Sequence, residues 1–126
     1  MINLLQSDRA KRYLICDARH PLITVSQLWD ELLLYNLSPS AREELYSLFE
    51  ALTGKSIDAS SRTDQLSGGQ KVLLMTLLAL LCPAPRLLFL NLWHSLDLPR
   101  REQIKALIDR HSTGKEILTE DSPDAC

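Results

Sequence analysis

Apolar positions along this chain recur with two periods, and its elements follow from where each period starts and stops. Tyr13-Leu14-Ile15-Cys16 is a short apolar run that gives way to the charged stretch Asp17-Ala18-Arg19-His20-Pro21. That is the pattern of a buried strand leaving a sheet, and it is the first element expected. From Thr24 onward Val25, Leu28, Trp29, Leu32 and Leu33 recur at helical spacing. Thr24 is placed to cap the first turn, and the helix is expected to reach about Tyr35. Ser38-Pro39-Ser40 opens a second helix, with Ser40 and Glu43 at capping-box spacing and a stripe of Leu45, Leu48, Phe49 and Leu52. Gly54 ends it, so the two helices form a hairpin.

Residues 55–65 are rich in Ser, Asp and Thr, with Ile57 as the lone aliphatic of any size, and read as a loop. The loop delivers the chain to Leu66-Ser67-Gly68-Gly69-Gln70 and then to an apolar helix from Lys71. Its most apolar part, residues 72–82, is too short to cross a hydrocarbon core and is closed by Pro83 and Pro85, so a buried helix is expected. Leu87-Leu88-Phe89-Leu90 is continuously apolar, which suits a central parallel strand covered on both faces. Asp97 caps a helix carrying Ile104, Leu107 and Ile108, and Glu116-Ile117-Leu118-Thr119 forms a final strand after Gly114. A strand, a helix and a strand in that order call for a right-handed crossover.

Composition narrows the picture only a little. The 126 residues, 45% hydrophobic and 24% charged, fit one compact domain over 1–126 able to bury a core. A net charge of −2 gives no summed positive field to hold nucleic acid. Three widely spaced cysteines, Cys16, Cys82 and Cys126, without a CxxC pair, suit a reducing compartment, and the amino end lacks a secretory h-region. Cytoplasmic placement is the expectation. His20, His94 and His111 are scattered, and metal binding is not expected of them. Arg100 and Arg101 are read as a solvated helix face, and Trp29 and Trp93 as packing residues, with Trp93 also placed for an interface.

Leu66-Ser67-Gly68-Gly69-Gln70 at the head of an apolar helix resembles the signature motif of the ABC-type ATPases. A helix start presents unpaired amides and a positive dipole end, two glycines let an anion approach the backbone, and Ser67 adds a hydroxyl. Pro85-Arg86-Leu87-Leu88-Phe89-Leu90-Asn91 is similar to the family's Walker B strand, and Ser95-Leu96-Asp97 to the D-loop. Residues 117–123 resemble the switch-histidine strand with Glu120 or Asp121 where the histidine belongs, and residues 13–25 the Q-loop strand, with Asp17 near the glutamine position. The resemblance implies an α/β chain with a partial P-loop ATPase (ABC-type) fold. Its small parallel sheet would carry a helical subdomain at about 24–65, with the signature helix and sheet at about 66–126. Transporter subunits and the DNA-repair and phage-defence ATPases fit equally, and a transporter would imply indirect membrane association.

The departures decide what the resemblance implies for chemistry. Phosphoryl transfer needs a carboxylate to organise Mg2+ and another to polarise water. Aligning on Pro85 puts Asn91 and Leu92 there; counting from the signature puts Leu90 and Asn91 there. Asn91 is read as an asparagine that ends a strand, satisfies nearby backbone and does no catalytic work. Thr53-Gly54-Lys55-Ser56 imitates the end of a Walker A loop, but a helix precedes it and Phe49 stands where its first glycine belongs, so it is read as a helix C-cap. The resemblance therefore implies no catalytic residue and no cofactor held by this chain alone. ATP and Mg2+ would be held by a partner chain, an ABC-type ATPase subunit or a second copy, which Ser67, Gly68, Gly69 and Gln70 would face in trans beside Ser95 and Asp97. Two alternatives stay open: half of a split ATPase whose Walker A lies on a separate polypeptide, and a plain interaction module whose helical hairpin docks a partner. A sheet of about three strands with an open edge and uncovered apolar faces would favour a complex.

Overall fold

The computed structural model describes residues 3–6, 12–22 and 27–121. The first expected strand is in fact the second: β1 (Asn3–Gln6) precedes β2 (Arg12–Asp17) and pairs with it antiparallel. Then come α1 (Leu28–Leu34), α2 (Pro39–Thr53), α3 (Gly68–Leu81), β3 (Arg86–Leu90), α4 (Leu98–His111) and β4 (Glu116–Glu120). The sheet order is β1-β2-β3-β4, with β2, β3 and β4 parallel. The expected three-stranded sheet therefore has a fourth strand, and β1 covers the outer edge of β2.

Register sorts the side chains of the parallel strands by face. Leu14, Leu87 and Ile117 share one face with Cys16, Phe89 and Thr119. Most of these join the core with α3, and α4 packs over Ile117 and Thr119 on the same face. The other face carries Tyr13, Ile15, Leu88, Leu118, Arg86 and Glu116, and no helix among the described residues lies in the core cluster with it. There the Tyr13 hydroxyl donates to Glu116, and Arg86 lies 3.7 Å from the same carboxylate.

α3 is the centre of the molecule. Its residues 72–80 are buried without interruption, as its near-total lack of polar positions requires. Lys115 closes its far end: Nζ donates to the Cys82 carbonyl at 2.6 Å and to the Ala84 carbonyl, taking up acceptors that a helix end leaves orphaned. Among the described residues no helix is long and apolar enough to cross a membrane.

The hairpin corrects three expectations. The helix start at Thr24 and Val25 lies outside the described residues, and α1 begins only at Leu28. Its first amides, of Leu28 and Trp29, donate to the carbonyls of Ser61 and Ala59 at 2.9 and 2.8 Å, so the polar loop caps it rather than a side chain. Trp29 (38% exposed) and Leu33 (54%) are not on the buried stripe, which runs through Leu28, Leu32 and Tyr35. The second helix is capped by Ser38, whose hydroxyl accepts from the Ala41 amide at 3.2 Å, not by Ser40. Pro39, with its fixed φ and missing N–H, is made for the first helical position and so sets the cap one residue before it. Gly54 ends α2 at φ 75°, a left-handed conformation that suits glycine.

Candidate functional site

The turn at residues 66–70, which resembles the signature, forms a reciprocal cap. The Ser67 hydroxyl accepts from the Gln70 amide at 3.1 Å, and the Gln70 side-chain oxygen accepts from the Ser67 amide at the same distance. Two first-turn donors are thus satisfied from within, Gln70 is spent on the cap, and Gly68 and Gly69 sit in the first turn of α3. A Cβ on either glycine would meet nothing within 4 Å. The packing of the described residues therefore does not demand glycine at these positions. In a helix glycine costs roughly 0.5–1 kcal/mol against alanine. Gly68→Ala and Gly69→Ala should each raise the melting temperature by about 2–4 °C in a thermal scan. A drop at either position would show that the chain's own packing needs the glycine.

Ser95 and Asp97 lie beside the signature. Trp93–Ser95 makes a 3-10 turn after β3, and the Ser95 hydroxyl donates to the Asn91 carbonyl at 3.1 Å. Asp97 caps α4, its Oδ1 accepting from the Arg100 amide at 3.0 Å. Ser67, Gly69, Ser95, Leu96, Asp97 and Arg100 line one open pocket of about 300 Å³. The N-terminal ends of α3 and α4 both border it, with the Asp97 carboxylate and Arg100 in its lining. Arg100 and Arg101 are not the solvated pair expected. Arg100 reaches Gln103 at 2.7 Å and the Leu52 carbonyl of α2 at 3.4 Å, while Arg101 Nε donates to the Trp93 and Leu96 carbonyls at 2.9 and 3.0 Å. Arginine type alone gave no signal for this; its forked donors reach across turns that the sequence leaves far apart.

Asn91 stands apart from that pocket. It is 1% exposed and left-handed at φ 60°, and its amide donates to the Glu120 carbonyl at 2.7 Å. Its side chain does more than satisfy nearby backbone: Nδ2 donates to Asp17 Oδ1 at 3.2 Å, joining the ends of β3 and β2. A carboxylate thus does adjoin this strand end, supplied by the neighbouring strand. Arg19 donates to both its oxygens, Nη2 at 2.8 Å and Nε at 3.2–3.3 Å. Partial burial alone would raise the Asp17 pKa, but the Arg19 side chain and backbone and the Asn91 amide outweigh it and hold the value at about 2.

The remaining candidates fall into structural places. Thr53 Oγ1 donates to the Phe49 carbonyl at 2.7 Å and accepts from the Lys55 amide at 3.0 Å, and Ser56 bonds Glu50, so the Walker A imitation is a helix end. Among the described residues no group of three or more His, Cys, Asp or Glu side chains could hold a metal; His94 lies 3.7 Å from Asp121. Cys16 and Cys82 are free and buried, and burial pushes the Cys16 thiol up to about 12. Ser122, Pro123 and Cys126 lie outside the described residues.

A sheet of three parallel strands with an antiparallel fourth, the buried helix α3 packed on it and a helical hairpin beside it, is an ABC ATPase-like fold. Eighty-six chains of solved structures match this chain. Among them is a protein named an ABC transporter ATP-binding protein, from Pyrococcus furiosus, at 15% identity and TM-score 0.61 over 86% of this chain. The chain spans 56% of that protein's length. No family model matches, and no curated protein does.

Proposed function

We propose that this chain is a non-catalytic ABC ATPase-like subunit or regulator that binds a partner ATPase and presents Ser67, Gly68 and Gly69 to nucleotide held on that partner. The observation that carries the reading is the shared pocket: the signature turn and the Ser95–Asp97 turn, far apart in sequence, border one open space with two helix starts on it. The open surface over both glycines leaves room for a phosphate to approach the backbone. Against hydrolysis stand the amide at Asn91, where a carboxylate would organise Mg2+, and the engagement of Asp17 by Arg19. ATP and Mg2+ would belong to the partner, and this chain's part would be the hydroxyl of Ser67 and the amides of the first turn of α3.

The test is affinity for the cognate ATPase with ATP or ADP present. Binding should be tighter with ATP by about tenfold, the scale of one charge-assisted contact to the terminal phosphate. Gly68→Asp, which sets a carboxylate against that phosphate, should erase the preference while leaving the melting temperature near that of the wild type. Equal affinities for the wild type under both nucleotides would make the signature a remnant.

A second reading, the plain interaction module, draws on α1. Trp29, Leu33 and Leu34 are exposed on that helix, with the Arg42 guanidinium 4.8 Å from the Trp29 ring centre. If affinity ignores nucleotide but falls with Trp29→Ala, this second reading is the better one.

A further inference from the structure

β4 ends the sheet and pairs only with β3 among the described residues. The Glu116 amide donates to the Pro85 carbonyl at 2.8 Å, and the Glu120 carbonyl accepts from the Asn91 amide at 2.7 Å. Residues 116, 118 and 120 therefore bond toward β3, and in a parallel ladder the residues between them turn both backbone groups the other way. The N–H and C=O of Ile117 and Thr119 point away from β3, along an edge that no other described strand occupies. Beside that edge, on the helix-covered face, lies a groove of about 300 Å³ between α4 and β4. Trp93, Ile108 and Ile117 give it apolar walls, and Lys105 and Asp109 flank it. The opposite face of β4 carries Glu116, Leu118 and Glu120, by register with β3.

We propose that this edge receives an extended strand from a different polypeptide, with apolar side chains on one face and basic side chains on the other. A strand laid along β4 would gain backbone hydrogen bonds from Ile117 and Thr119, drop apolar side chains into the groove, and bring its alternate side chains beside Glu116 and Glu120. A second copy of this chain fits poorly. Antiparallel pairing about a two-fold axis keeps each face on its own side, so the register that overlaps the whole strand sets Glu116 opposite Glu120 twice. Like charges directly opposite destabilise a ladder, and charge on an edge strand turns away its own kind. Glu116 already accepts from Tyr13 and lies beside Arg86, so the exposed Glu120 is the carboxylate that attracts Lys or Arg. This pairing needs no nucleotide and does not depend on the signature's role.

The probes are short synthetic peptides: alternating Lys-Val, alternating Glu-Val, and a block peptide with the Lys-Val composition but no alternation. Fluorescence anisotropy reads affinity, and hydrogen exchange reads the Ile117 and Thr119 amides. The alternating Lys-Val peptide should protect both amides and bind about tenfold tighter than either control, a difference of about 1.4 kcal/mol. Thr119→Pro deletes an outward donor at a position where an edge strand tolerates proline, and should lose about tenfold. Glu120→Lys should invert the charge preference without touching the backbone, which keeps the test decisive should the proline variant fold poorly. Absence of protection, or equal binding of the block peptide, would overturn the proposal. So would dimers of the chain alone that Thr119→Pro dissolves, since the occupant would then be a second copy.

Discussion

Asn91→Asp, which puts a second carboxylate at the end of β3, should destabilise the protein by about 2 kcal/mol at neutral pH. The reason is the 3.2 Å contact between Asn91 Nδ2 and Asp17 Oδ1. An amide donates across that gap; a second carboxylate would only accept, and two carboxylates at this separation do not both ionise without cost. Asp17, now held at about 2, would rise, and the pair would share a proton. The sign of the pH dependence follows. Between roughly pH 7 and pH 5 the folded variant binds more protons than its unfolded chain, so its stability increases as pH falls, whereas the wild type, with its depressed carboxylate, loses stability only as pH falls from about 4 toward 2. Urea unfolding of both proteins at pH 7 and pH 5 checks this, and a difference between them that ignores pH would refute the contact. Asn91→Ala should also cost about 2 kcal/mol, because it removes the hydrogen bond and leaves an alanine at φ 60°.

Much of the frame was legible because local chemistry dictates it. The serine and glutamine of the signature define their own cap, Asp97 and Gly54 sit where helix ends want them, and the unbroken apolar runs of α3 and β3 admit only burial on all sides. What escaped was set by partners distant in sequence. β1 is four residues with no periodicity to announce it, and it exists because β2 offers an edge. The stripe of α1 was one residue too generous on each turn, since both Leu32 and Leu33 satisfy helical spacing and only the position of α3 and the loop decides between them. The Asp17–Asn91 contact spans 74 positions; it follows from the parallel register, which sets Asp17 opposite Leu90 and so beside the next residue. The candidate site divides in the same way. Its motif residues were visible as motifs, whereas Arg100 joined it through geometry that residue type does not carry.

Leu77→Ala should have the largest effect of any single change considered, a loss of about 3–5 kcal/mol. Leu77 is 0% exposed in the middle of α3, between buried neighbours on every side of the helix. Truncation there removes methyl groups from the densest part of the core, and surrounding elements that are already packed on α3 from several directions relax little into the space. Against a total of roughly 5–15 kcal/mol for a domain, this is about a fifth of the stability or more, and the melting temperature should fall by about 10–15 °C. Thr76→Val, one residue away and equally buried, makes the comparison sharp. The Thr76 hydroxyl donates to the Val72 carbonyl of its own helix at 2.9 Å, and that carbonyl keeps its helical partner when the hydroxyl becomes a methyl. The swap conserves volume and leaves no orphaned acceptor, so it should cost about 1 kcal/mol or less. Because α3 is also the pedestal of Ser67, Gly68 and Gly69, the two variants separate stability from presentation. Below its melting temperature Leu77→Ala should keep the wild-type ratio of partner affinities under ATP and ADP, since the cap at Ser67 and Gln70 is closed by local bonds. A loss under about 1 kcal/mol for Leu77→Ala in denaturant unfolding would show that α3 is not the buried centre of the fold, and the placement of the signature at its head would fall with it.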